Sequence, residues 1–153
     1  MKGAIKMDYR KLNNNEIGLY SELYESVFAE EPWNEEFDTK LVRKYFQMCC
    51  ESNMYGGFVA KEKEIVCGVI TYYLKPGTSG TVIYIDELFV REDSRKKGVG
   101  STLISQVEKV RAKRDAVSII IHTDENSDAY RLYKFLGFEC DGELVSLYKN
   151  FRM

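Results

Sequence analysis

Tyr84-Ile85-Asp86-Glu87-Leu88-Phe89-Val90-Arg91-Glu92-Asp93-Ser94-Arg95-Lys96-Lys97-Gly98-Val99-Gly100-Ser101 decides how the chain is read. The β-branched and aromatic residues of Thr81–Val90 predict a central strand. Val99, Leu103, Val107 and Val110 recur at helical spacing and predict a helix over Gly98–Arg114. Between strand and helix lies a basic turn. The first N–H groups of a helix have no intrahelical acceptor and form the positive end of its dipole. Glycines at 98 and 100 let a bulky anion approach those groups. Arg95, Lys96 and Lys97 oppose the helix dipole, a cost that an anionic ligand would offset. The competing reading is an ordinary solvated helix start. It is not a dinucleotide-binding turn, because Leu103 occupies the third glycine position, and no Gly-Lys-Ser or Gly-Lys-Thr makes it a nucleotide-triphosphate loop.

Working outward, Ile5, Met7 and Tyr9 alternate with polar residues and predict a first strand. Asn13 to Asn15 can cap a helix reaching Phe28, with Ile17, Tyr20, Leu23, Tyr24 and Val27 on one face. Asp38 can cap a second helix through Cys50, with Leu41, Val42, Tyr45, Phe46 and Cys49 inward. Tyr55–Lys61 and Ile65–Leu74 flank Glu62-Lys63-Glu64 and predict a hairpin. Ala116–Thr123 is a β-branched run, and Ser127–Leu136 a helix that stops at Gly137. Phe138 to Phe151 predicts two further short strands, broken at Asp141-Gly142. The order β-α-α-β-β-β-α-β-α-β-β predicts an α/β fold, a mixed sheet with helices on both faces.

The chain has 153 residues, 44% hydrophobic and 30% charged, which fits one domain spanning residues 1–153. A net charge of −2 gives no pull toward nucleic acid. No run approaches the roughly 20 apolar residues of a membrane span. The N-terminus shows no secretory h-region, so the cytoplasm is the expected location. Cys49, Cys50, Cys67 and Cys140 form no Cys-x-x-Cys pair and His122 is the single histidine, so no metal is expected. The thiols read as buried and free.

Arg95-Lys96-Lys97-Gly98-Val99-Gly100 resembles the R/Q-x-x-G-x-G/A signature of the GNAT acyltransferase superfamily. Asn126-Ser127-Asp128-Ala129-Tyr130-Arg131-Leu132-Tyr133-Lys134-Phe135-Leu136-Gly137-Phe138 resembles the family's second signature, at the family's spacing of one helix and one strand. The resemblance covers Thr81 to Phe138; the first half follows the family in element order alone. It implies a GNAT-like fold with a mostly antiparallel central sheet. It also implies an N-acetyltransferase that uses acetyl-CoA as cosubstrate. The pyrophosphate of coenzyme A would sit on Arg95, Lys96, Lys97, Gly98, Val99, Gly100 and Ser101. The pantetheine arm would lie along Leu88, Phe89 and Val90, where a splay from Ala116–Thr123 frees backbone groups. Asn126, Ala129 and Tyr133 would line the other side. Tyr133 holds the position at which the family places a hydroxyl near the thioester sulfur, and so implies the general acid; a packed helix tyrosine is the competing reading.

Acyl transfer to an amine also needs a base, because an alkylamine with a pKa near ~10.4 is almost wholly protonated at neutral pH. Simple alternation puts Ile83, Ile85, Glu87 and Phe89 on one face of the strand and Tyr84, Asp86, Leu88 and Val90 on the other. Carboxylates in an apolar strand are either paired or functional. Glu87 is the first candidate for base or amine anchor and Asp86 the second, against a structural ion pair. In the family the acceptor site is built from the first two helices and their loop. Here that loop, Glu30 to Asp38, is acidic and carries Trp33. Trp33, Glu36 and Glu87 are the candidate acceptor-binding residues, suited to a cationic amine. Glu31-Pro32-Trp33 resembles loops of aminoglycoside-type members and Tyr84–Val90 the strand of polyamine-type members, which implies a small acceptor of that kind. Acetylation of a protein or peptide amine, or a non-catalytic acyl-CoA-binding module, are the alternatives. Family members are often homodimers, and the aromatic tail Leu147-Tyr148-Lys149-Asn150-Phe151 is a candidate participant.

Overall fold

The computed structural model describes residues 6–152. The elements in chain order are β1 (Asp8–Lys11), α1 (Ile17–Ala29), α2 (Thr39–Glu51), β2 (Tyr55–Glu62), β3 (Ile65–Pro76), β4 (Thr81–Val90), α3 (Val99–Lys113), β5 (Ser118–Ile121) and α4 (Asp128–Phe135). Short 3-10 turns at Asn14–Glu16 and Glu92–Ser94 lead into α1 and follow β4. Ile5, expected in the first strand, lies outside the described residues. The chain divides into two compact units, one ending at His122 and one beginning at Thr123. Among the described residues no helix is long and apolar enough to cross a membrane.

Local chemistry sets the element starts. The Asn13 side chain accepts from the Asn15 N–H, and Asp38 accepts from Lys40 N–H at 3.0 Å. Each satisfies a helix-start donor that would otherwise lack a partner. Ser127 caps α4 in the same way through Tyr130 N–H.

The sheet of the first unit has the order β1-β2-β3-β4-β5. The first three pairings are antiparallel, and β4 with β5 is parallel. The mixed, mostly antiparallel architecture is the expected one. One face packs on α1 and α2. Tyr20, Leu23, Val27 and Phe46 from the helices bury against Val59, Val66, Val69 and Phe89 from the strands. The other face receives α3: a Cβ at Gly68 would meet Val99 and Leu103. Leu41, expected inward on α2, is 60% exposed and lines an open cavity with Val42 and Tyr45 instead of packing in the core.

The strands expected between Phe138 and Phe151 do not form. The segment makes one turn, closed by Leu144 N–H on the Asp141 carbonyl, and no ladder. A strand is stable only where a neighbour takes its backbone groups and its apolar face is covered. Here Leu144, Val145, Leu147, Tyr148 and Phe151 are all exposed. Cys140, in the same segment, is also exposed, whereas Cys49 and Cys67 are buried as expected.

Candidate active site

The site in the first unit is organised by an irregularity in β4. Thr71 pairs with Glu87, but its neighbour Tyr72 pairs with Ile85, so Asp86 is an extra residue, a β-bulge. Directly paired residues share a sheet face. Ile85 therefore lies on the face of Tyr72, which feels Arg114 at the end of α3. Phe89 lies on the other face, packed edge-on against Tyr24, Phe28 and Phe46. The simple alternation of β4 thus fails at Asp86. The bulge brings Asp86 and Glu87 to the α1/α2 face together, where alternation had separated them.

Asp86 accepts a very short hydrogen bond from the Tyr45 hydroxyl. Glu87 faces a cavity of about 250 Å³ lined also by Tyr24, Leu41, Val42 and Tyr45. Burial, then the charges of Asp86 and Glu35, push the Glu87 carboxyl up to about 7, while a hydrogen bond from Tyr24 opposes the shift. Burial raises the Tyr24 and Tyr45 hydroxyls above the usual tyrosine range. Tyr24, Tyr45 and Glu35 were not singled out in the sequence. Their periodicity marked the two tyrosines only as core.

The loop between α1 and α2 folds back on α1, with Glu35 N–H on the Phe28 carbonyl at 2.9 Å. Trp33 stands edge-on to Phe28 at 5.1 Å and is 45% exposed. It is half packed and half available. Glu36 is exposed, and the loop carboxylate whose charge reaches Glu87 is its neighbour Glu35. His122 is exposed at the end of β5, where it stacks on Tyr84. Burial pushes the Cys49 thiol up to about 12, so it is protonated and no thiolate nucleophile is available there.

The β4–β5 ladder runs from Val82 with Ser118 to Ile85 with Ile121 and stops there. Among the described residues no strand pairs with the β5-side edge of Asp86, Glu87, Leu88, Phe89 and Val90. The turn that follows is held tightly. Arg95 Nε donates to the Val90 carbonyl, and Arg91 pairs with Asp93. Lys96 and Gly98 adopt left-handed backbone, φ +60° and +80°. Gly98 is the N-cap of α3, and no side chain caps that helix. The Ser101 and Thr102 hydroxyls turn back onto the Gly98 carbonyl. The start of α3 is therefore free of any side-chain carboxylate or amide acceptor, an arrangement suited to an anion. A larger open cavity of about 510 Å³ lies between the last turns of α1 and this turn, with Glu30, Glu92, Arg91 and Arg95 in its wall. Its wall mixes both charges, and Glu87 is not among its lining residues.

In the second unit, Asn126 precedes α4, and Ala129 and Tyr133 lie on it. Tyr133 is buried and meets Phe138. Among the described residues no group of three or more His, Cys, Asp or Glu side chains could hold a metal ion.

Several solved structures share this fold. The aminoglycoside N-acetyltransferase AAC(6')-Iy in complex with CoA superposes with a TM-score of 0.81 at 18% identity, over 99% of both chains. An aminoglycoside acetyltransferase from an uncultured soil metagenomic sample, in complex with sisomicin, gives 0.77 at 18% identity over 95% of this chain and 97% of that one. The ribosomal-protein-alanine N-acetyltransferase of Brucella melitensis biovar Abortus 2308 gives 0.75 at 18% identity over 95% and 99%. No curated protein matches the sequence. The model of the acetyltransferase (GNAT) family matches residues 18–138, both signature blocks included, and the chain belongs to that family: it is an N-acetyltransferase.

Proposed function

We propose that this enzyme moves an acetyl group from acetyl-CoA to a small cationic amine by direct attack on the thioester. The observation that carries the reading is Glu87, raised to about 7 at the wall of a cavity and beside a strand edge that no described residue pairs with. A carboxyl titrating near neutrality can take the proton of a bound ammonium, leaving the free amine to attack. The C–N bond forms, the C–S bond breaks, the nitrogen sheds its second proton to solvent as the amide forms, and the departing thiolate takes a proton from an acid that solvent then reprotonates. Tyr133 is the proposed donor of that proton, on the resemblance of residues 126–138 to the family signature. The open edge of Leu88, Phe89 and Val90 would take the amide groups of the pantetheine arm. The uncapped start of α3, with Arg95, Lys96 and Lys97, would take the pyrophosphate. Asn126 and Ala129 are assigned to the cosubstrate on the same resemblance, within one domain.

The cationic acceptor is supported by the charges around Glu87. Asp86 and Glu35 both act on it, and Trp33 offers an exposed aromatic face nearby in the loop sequence. Relatives of the same fold carry aminoglycoside ligands or analogues. The exposed apolar tail residues support a homodimer in which a second copy covers them. The test is thiol release from acetyl-CoA in the presence of aminoglycosides, polyamines, amino acids or short peptides. Turnover with the first two classes is the expected result. Turnover with peptides alone would reassign the enzyme to protein amines, and coenzyme A binding without turnover on any amine would favour a non-catalytic module.

A further inference from the structure

Thr71 is fully buried, and the sheet side chains buried as completely, among them Val59, Val69, Ile70 and Ile83, are apolar. Valine would fill the same volume, so the hydroxyl needs a reason. Its partners supply one. The Glu87 N–H donates to Thr71 Oγ1 at 3.0 Å, and Thr71 Oγ1 lies 2.7 Å from the Tyr45 hydroxyl. Tyr45 donates to Asp86, and a carboxylate has no proton to give back. Tyr45 has one proton, so Thr71 must be the donor in the bond between the two hydroxyls. A directed chain results: Glu87 amide to Thr71, Thr71 to Tyr45, Tyr45 to Asp86. It begins and ends on the two residues of the β4 bulge and passes through β3 and α2.

We propose that Thr71 and Tyr45 are positioning residues, whose hydrogen-bond chain locks the β4 bulge and thereby holds the Glu87 carboxyl in the cavity. This rests on the reading of Glu87 as the base. Without the chain, β4 can slip toward regular alternation, which carries Asp86 and Glu87 to opposite faces. The groups that face Glu87 are Asp86 on its own strand, Glu35 from the loop, Tyr24 from α1, and Tyr45 and Cys49 from α2.

The test compares Thr71→Val, Thr71→Ser and Tyr45→Phe with the wild type. With an active acceptor, Thr71→Val should lower kcat about tenfold or more while the KM for acetyl-CoA stays within about twofold, and Thr71→Ser should restore most of the loss. In the free protein, carboxyl carbon NMR should show the Glu87 titration near 7 in the wild type. It should fall toward the ordinary carboxylate range in Thr71→Val and return in Thr71→Ser. If Thr71→Val does not fold, Tyr45→Phe gives the same readouts. An unchanged Glu87 titration and an unchanged kcat in the variants would overturn the proposal. A wild type that turns over no amine would remove the base role, while the NMR comparison still decides the positioning.

Discussion

The Tyr133 and Phe138 rings meet edge to face at the end of α4, their centroids 5.5 Å apart and their planes at 65°. The backbone closes around the same pair. Phe138 N–H donates to the Tyr133 carbonyl at 3.0 Å and Gly137 N–H to the Lys134 carbonyl at 3.1 Å, with Gly137 at φ +94°. These are the two bonds of a Schellman cap, and the ring contact is its usual apolar companion. The Gly-Phe ending of the second signature is thus a device that fixes the residue proposed as the acid.

Gly137→Ala should destabilise the protein by about 1 kcal/mol, since no atom lies within 4 Å of the added Cβ and only the left-handed backbone resists it. Gly137→Asn should cost less, because asparagine tolerates that conformation. Thermal unfolding of the two variants checks the order, and equal losses would point to a steric cause instead.

Tyr133→Phe keeps the ring contact with Phe138 and removes only the hydroxyl. Turnover should fall by about a hundredfold, the scale of general-acid assistance, with little change in coenzyme A affinity. Steady-state kinetics with calorimetric binding separates the two effects, and wild-type turnover in the variant would take Tyr133 out of the mechanism.

Glu87 makes a stability prediction independent of activity. Its folded pKa, about 7, lies above the ordinary 4.5, so the folded state holds this proton more tightly than the unfolded chain does. Such a group contributes its full stability below about 4.5 and loses it as pH rises through about 7. Glu87→Gln should therefore be more stable than wild type at pH 8, by up to about 3 kcal/mol, with no such gain near pH 4. Denaturant unfolding at both pH values measures it. In kinetics the same variant should lose the wild-type rise near pH 7 and need the higher pH at which the amine deprotonates itself; an unchanged profile would eliminate Glu87 as base.

Lys61 and Glu16 form a short ion pair with both side chains largely buried. Glu16→Gln should cost about 3 kcal/mol, because it leaves the ammonium inside without its partner. The double variant Glu16→Leu, Lys61→Met should recover much of that loss, since no charge is then left inside. Chemical unfolding of the two variants distinguishes a stranded charge from lost packing.

Replacing Leu147, Tyr148 and Phe151 by serine should convert a dimer to a monomer, as read by light scattering. A wild type already monomeric would show that the tail has no second copy on it.

Most of the fold was legible because it is written in local chemistry. Asp38 and Ser127 announce their helices as caps, and Thr81–Val90 was bounded correctly by its β-branched and aromatic run. What failed depends on partners distant in sequence. The bulge at Asp86 appears only when β4 is laid against Thr71 and Tyr72, so alternation put Asp86 and Glu87 on opposite faces. The tail has the apolar content of strands, but a ladder also needs an edge to pair with, and sequence does not show whether one is supplied. Thr71 and Tyr45 looked like filler at strand and helix spacing; their hydroxyls become meaningful only at 2.7 Å.

The early end of β5 also has a consequence for proton exchange with solvent. Backbone amides deep in a sheet exchange only when the structure opens, whereas amides on an unpaired edge exchange through small local motions. The segment from Asp86 to Val90 lies beside the middle strand β3, yet among the described residues its other side has no ladder. In deuterated water its β5-side amides should label early in the free enzyme, faster than those of Val82 to Ile85, which have strands on both sides. An acyl donor lying along that edge should slow them selectively, so this half of β4 would act as a built-in reporter of donor occupancy.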